Sequence, residues 1–265
     1  MNKSIQKKIG KEFFPPLLGF LVIIILWQLV STYYFSSLIL PSPYEMVREL
    51  LLKPEILWEH TLTTFLEVVY GFLLAMVVGF LCAIGIIYSN FLGNLIYPLV
   101  LGSQTVPIMT LAPIFILWFG YGAISKVFLV MMVMFFPITL NAIFGLTITD
   151  PETLDMMATL KASKFQVFCK IRFPNSLPYI FMGLKISIAF GLVAAVISEW
   201  MGAYGGLGYY MMKENKLLNI KAVFATILLM VVGSLTMFAL VFLLEWFAVP
   251  WYRKKNKKNG GGPTV

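Results

Sequence analysis

The chain has 265 residues, of which 60% are hydrophobic and only 12% charged, against about 25% charged in an ordinary soluble domain. A soluble fold this apolar has too little polar surface to cover itself, so the composition excludes one and points to lipid as the solvent. The net charge of +8 does not indicate nucleic acid, because the basic residues gather at the termini and in one central loop rather than along a face.

In chain order, residues 1–12 form a basic N-terminus with Lys3, Lys7, Lys8 and Lys11. The apolar run that follows is long and has no small-x-small cleavage site behind it. It therefore reads as a retained helix rather than a signal peptide. Six spans of the length a bilayer requires are expected, at about 14–34, 62–88, 95–119, 126–146, 177–200 and 222–247. Residues 13–250 then make one all-α membrane domain, and 251–265 a basic tail.

Lysine and arginine placement orients the spans. With the N-terminus inside, the inner segments hold thirteen basic residues: Lys3, Lys7, Lys8, Lys11, Lys161, Lys164, Lys170, Arg172, Arg253, Lys254, Lys255, Lys257 and Lys258. The outer segments hold six: Arg48, Lys53, Lys126, Lys213, Lys216 and Lys221. Both termini are therefore expected in the cytoplasm, with the chain embedded in a membrane. Between the first two spans, Pro41 to Leu51 has a Ser-Pro start and helical apolar spacing, so it reads as an amphipathic helix on the outer surface.

Gly71, Ala75, Gly79 and Ala83 recur every four residues in the second span, a close-packing face. The third span carries Ser103, Gln104, Thr105, Pro107 and Pro113. Proline frees a backbone carbonyl, and in lipid such a group needs protein or water. A broken helix there is expected to line a cavity. Ser103, Gln104 and Pro107, with Asn141 of the fourth span and Glu199 of the fifth, are the candidate translocation-path residues. Glu199 also reads as a carboxylate at the membrane interface, as does Glu67 more strongly, and His60 as an interfacial polar residue. Cys82 and Cys169 make no disulfide framework, and neither a metal site nor a cofactor is expected.

Thr149 to Pro174 is the one long inner loop. Asp150-Pro151 caps a short helix with Leu154, Met157 and Ala158 on one face. A turn at 161–163 leads to a second helix, with Phe165, Phe168 and Cys169 sharing a face and Pro174 ending it. A basic rim on such a knob suits anionic lipid heads or an acidic protein surface.

This loop resembles the Glu-Ala-Ala coupling loop of binding-protein-dependent ABC importer permeases. Asp155-Met156-Met157 stands at Glu-Ala-Ala, Lys161 at the family glycine, Ile171 at the isoleucine, and Phe173-Pro174 at Leu-Pro. The glycine supports positive φ, which lysine adopts only at a cost. Leu40-Pro41-Ser42-Pro43, Val106 to Pro113, Trp118 to Gly122, Ser198-Glu199-Trp200 and Gly205-Gly206-Leu207-Gly208 resemble the nitrate, taurine and sulfonate branch. Ile197 to Gly202 and Gly206 to Met211 are most similar to its thiamine-precursor (hydroxymethylpyrimidine) permeases.

The resemblance implies the membrane domain of a type I, MetI-like importer that is not itself an enzyme. It also implies a permease homodimer, two separate ATPase subunits, an extracytoplasmic binding protein and surrounding lipid. On this resemblance Asp155, Ala158, Lys161, Ala162, Ser163, Phe165, Phe168, Ile171 and Pro174 are the ATPase-coupling residues. The chain has no Gly-x-x-x-x-Gly-Lys-Ser/Thr loop, so a partner would bind the ATP. A secondary transporter or channel is the alternative. The former would show repeats and buried charge pairs, and the latter a pore loop.

Overall fold

A computed structural model describes residues 3–103 and 105–251. All secondary structure in the described residues is helical: α1 Lys3–Tyr33, α2 Pro43–Leu52, α3 Pro54–Tyr88, α4 Asn90–Gly102, α5 Ile108–Phe119, α6 Ala123–Thr147, α7 Pro151–Thr159, α8 Lys164–Val167, a π turn at Phe168–Arg172, α9 Phe173–Gly202, α10 Leu207–Lys216 and α11 Ile220–Ala248. Among the described residues, four helical stretches have both the length and the apolarity to cross a membrane: α3, α6, Lys164–Gly202 and α11.

The expected first span lies almost wholly within α1, and the expected third is divided between two short helices, α4 and α5. Ser89 caps α4 by accepting from the Leu92 N–H, so that helix starts earlier than the apolar run alone suggested.

The chain divides into two compact units. In the larger, residues 60–209 and 230–265, the core is built on α6 against α9. Val130, Met134, Ile138 and Ala142 are fully or almost fully buried with Leu184, Ile188, Ala194 and Ala195. Small residues let the backbones close up. A side chain at Gly183 would collide with the Pro137 carbonyl and the Asn141 Cβ, both at 2.8 Å, and one at Gly145 with the Ser176 carbonyl at 3.0 Å. The expected small stripe of α3 is buried. Its Gly71 meets Val130 and its Gly79 meets Thr139 of α6. Lys185 of α9 and Glu245 of α11 form a 2.9 Å ion pair inside the apolar segments.

In the smaller unit, residues 1–59 and 210–229, Ser42 and Glu45 form a reciprocal capping box at the start of α2. The Glu45 carboxylate also accepts from Ser37 Oγ at 3.0 Å and pairs with Lys221 at 2.7 Å. The Lys221 ammonium holds the Glu45 carboxyl below its ordinary value of 4.5. Leu57, Tyr210 and Ala222 are buried together, with Leu50 and Leu229 against them. Burial and the nearby Glu214 and Glu49 push the Tyr210 phenol up to about 12. Asn219 donates from Nδ2 to Glu214 at 2.6 Å.

Candidate functional site

The 149–175 loop begins as expected. Asp150 accepts from the Glu152 N–H at 3.3 Å, and Pro151 opens α7. Met157 is turned inward, while Asp155, Met156, Ala158 and Leu160 are exposed. The helix ends in a reversed turn in which the Lys161 N–H bonds to the Ala158 carbonyl and the Ala162 N–H to the Met157 carbonyl, at 2.9 and 3.0 Å. This is the pair of bonds by which a left-handed residue closes a helix. Lys161 occupies that position with φ +52°, so the turn associated with glycine persists without glycine. Ser163 and Gln166 then form a second capping box, which starts α8.

The second half of the loop departs from the sequence reading. Pro174 does not end the second helix. The chain passes through the π turn directly into α9, giving one helical stretch from Lys164 to Gly202. Pro174 has no N–H to donate to the preceding turn, and the wider turn absorbs that defect by bonding the Phe173 N–H to the Phe168 carbonyl.

The π turn also brings Phe168 onto the same face as Phe173. In an α-helix, positions five apart point about 140° from each other. Here Phe168 and Phe173 face the same way, with ring centroids 5.9 Å apart. Phe168 also meets Tyr88, and Phe173 meets Phe80, in the core. Phe168 is therefore a packing residue, while Phe165 remains 75% exposed. Ile171 and Pro174 are half-buried, and Ala162 partly so. What the loop presents outward is Met156, Leu160 and Phe165, with Lys161, Ser163 and Lys164 among them.

The helix break lies between Gly102 and Ile108. Ser103 donates from Oγ to the Val100 carbonyl at 2.7 Å, Thr105 to Gly102 at 2.8 Å, and Thr110 to Pro107 at 2.7 Å. Hydroxyls thus add bonds to carbonyls around the break, two of which also accept the backbone N–H of Thr105 and Thr110, so its polar groups are served within the protein as membrane depth requires. Pro107 is exposed and caps α5. Gln104 lies outside the described residues. Asn141 is half-buried on α6 and its amide is engaged by the Pro137 carbonyl at 2.8 Å. Beyond the break, α5 packs on α6 and α9.

Glu199 and Glu67, expected as carboxylates at the membrane interface, are covered by protein. Both are buried, at 1% and 3% exposure. His60, Thr64 and Glu67 recur at four- and three-residue spacing on α3, so they share one face. His60 lies in the second turn of α3. Thr64 Oγ1 donates to Glu199 Oε1 at 2.6 Å and accepts from the Leu207 N–H at 2.7 Å. The Gly208 N–H donates to Glu199 Oε2, and the Gly206 N–H to His60 Nδ1 at 3.1 Å.

Lys126, also buried, lies 3.8 Å from Glu67 and donates to the Tyr121 and Gly122 carbonyls. Position 206 has φ +104°, and a side chain there or at 208 would run into the Glu199 carboxyl. Both glycines are therefore required by close approach, and Gly206 by its backbone conformation as well. Sequence reasoning missed Thr64, Lys126, Lys185 and Glu245. The His60-Thr64-Glu67 spacing was the available signal for the first of these.

Among known proteins, the family model for the binding-protein-dependent transport system inner membrane component matches residues 75–247. A probable ABC transporter permease protein of Haemophilus influenzae is 34% identical over 232 residues, covering 87% of this chain and 94% of its own. The formylaminopyrimidine transport permease protein ThiX of Halalkalibacterium halodurans is 33% identical over 241 residues, covering 91% and 96%. The putative aliphatic sulfonates transport permease protein SsuC of Bacillus subtilis is 31% identical over 257 residues, covering 94% and 92%. Among solved structures, an inward-facing form of the MetNI methionine ABC transporter has a TM-score of 0.61 at 16% identity, covering 76% of this chain and 98% of that one. The last is a likeness of fold.

Proposed function

The chain belongs to the binding-protein-dependent transport system inner membrane components, as a multi-pass permease subunit and not an enzyme, and from that premise we propose that it couples solute passage to a separate ATPase through the 149–175 loop. The observation that carries this reading is the exposed apolar triad Met156, Leu160 and Phe165 around a turn closed by backbone bonds on one side and a capping box on the other. Apolar side chains of this size at the end of a bundle need a partner. The loop continues as one helix into α9, which packs along α6 in the core. A push on Phe165 is thus delivered to the pair of helices at the centre of the bundle, as a rigid-body switch requires.

The transported solute is proposed to be a small aminopyrimidine of the thiamine-precursor type. This rests on similarity to the formylaminopyrimidine permease over nearly the whole of both chains. Two copies of the chain, two ATPase subunits and an extracytoplasmic binding protein would complete the importer, with both termini of this chain in the cytoplasm.

Phe165→Glu tests the coupling. The variant is expected to fold and insert normally but to lose the co-purifying ATPase and ATP-driven uptake, because a charge then meets an apolar groove. Phe168→Glu is expected to lower thermal stability instead, since that ring packs in the core. Retention of both ATPase and uptake by Phe165→Glu sinks the coupling assignment. For the solute, uptake of labelled formylaminopyrimidine by the complete complex in liposomes should be outcompeted by related pyrimidines and not by alkyl sulfonates. The reverse pattern assigns the chain to the sulfonate branch.

A further inference from the structure

The His60-Thr64-Glu67-Lys126-Glu199 cluster is absorbed neither by the coupling loop nor by the helix break. It joins α3, the first turn of α6, the last turn of α9 and the 205–208 turn, all within the larger unit. Lys126 is in the first turn of α6, whereas the coupling loop follows the last. The helix has 25 residues, or about 37 Å at 1.5 Å each. The cluster therefore lies roughly one bilayer thickness from the loop.

Three consecutive backbone N–H groups, of Gly206, Leu207 and Gly208, end on side chains of α3 and α9. Thr64 is the pivot, because its hydroxyl accepts from the turn and donates to Glu199. The same cluster reaches the end of α5, since Lys126 binds the Tyr121 and Gly122 carbonyls just beyond it. Polar knots differ from apolar seams in one respect that matters at the mouth of a path. Dry, their groups satisfy one another. Wetted, the same amides, hydroxyl and carboxylates exchange those bonds for water at a small net difference. An apolar seam has no comparable wet state.

We propose that Thr64 and Glu199 are positioning residues of a latch that holds the 205–208 turn shut, and that the latch releases when the end of the path away from the coupling loop opens. This rests on the ATP-coupled reading above. In that reading the far end opens when the ATPase closes on ATP, so the latch should be broken in the ATP-trapped state.

The primary test uses the unaltered chain, co-purified with its ATPase in lipid nanodiscs. Hydrogen exchange of the 205–208 backbone amides is compared without nucleotide and with ATP plus vanadate. Exchange at least tenfold faster in the trapped state is expected, and equal protection in the two states overturns the latch. Thr64→Val, which keeps the shape and removes the hydroxyl, is expected to raise solute-independent ATP hydrolysis about fivefold, the factor for one hydrogen bond worth ~1 kcal/mol. Thr64→Ser should restore the unaltered rate. Unchanged hydrolysis in an assembled Thr64→Val complex also counts against the latch. ATP hydrolysis and vanadate trapping by the unaltered complex are measured alongside. If they are present and the amides are static, only the latch fails. If no ATPase co-purifies, the coupling reading itself fails.

Discussion

Lys161 and Leu218 both occupy the left-handed region, at φ +52° and +57°. Each closes a helix with the same pair of bonds, Leu218 bonding to the Asn215 carbonyl and Asn219 to that of Glu214. A left-handed L-residue costs about 1–2 kcal/mol, and glycine returns part of that gain as extra freedom in the unfolded chain. Lys161→Gly is therefore expected to stabilise the loop by about 1 kcal/mol net, read as a higher melting temperature with the ATPase still co-purifying. A second contrast concerns packing glycines. A methyl at Gly183 meets a backbone carbonyl, whereas one at Gly191 meets only the flexible Met134 side chain. Gly183→Ala should cost about 1–3 kcal/mol, the usual cost of overpacking, and Gly191→Ala distinctly less. Equal melting temperatures for the two variants would show that the helices shift freely.

At the scale of elements, the π turn decides which way the coupling knob points. Deleting one residue within 168–172 would restore α-helical bonding and turn everything before it by about 100°. Phe165 would swing away from its present direction while α9 kept its own packing. The expected result is a chain that still inserts but melts at a lower temperature, because Phe168 leaves its core packing too, and that no longer retains the ATPase in pull-down. If retention survives the deletion, the direction of Phe165 is immaterial. The elements were legible to unequal degrees. Asp150-Pro151 marked the start of α7, and the Gly71-Ala75-Gly79-Ala83 stripe marked a packing face. The Phe168-Phe173 pairing was not legible, because helical periodicity assumes 3.6 residues per turn and a π turn breaks that count. The early start of α4 was hidden for a related reason: Ser89 acts through its side-chain bond to the Leu92 N–H, not through hydropathy.

At the scale of the molecule, Lys185 and Glu245 tie two apolar helices of the larger unit across 60 residues of sequence. An ion pair in apolar surroundings is costly to break and much less so to replace. Lys185→Met alone should reduce the yield of folded protein, and adding Glu245→Leu should recover most of it. If the double variant does not recover, the pair does more than neutralise two charges in apolar surroundings. The charge pairs are also what hydropathy handled least well. Lys126 counted as an outer-loop lysine, and Glu67 and Glu199 as interfacial acids. Whether a charge near a span end is wet or buried depends on what packs over it, here the 205–208 turn and α3.

Composition, span length and lysine placement were enough to establish an apolar, multi-span chain with a basic loop, because lipid imposes those features on every segment separately. The caps at Ser42, Asp150 and Ser163 were likewise local, resolved within four residues. Tertiary structure alone decided that Phe165 is exposed and Phe168 is not, that Glu199 receives the start of α10, and that Thr64 stands between them. Those outcomes depend on residues up to 143 positions apart, whose approach follows from the close packing of α3, α6 and α9 and leaves no periodic trace along the chain.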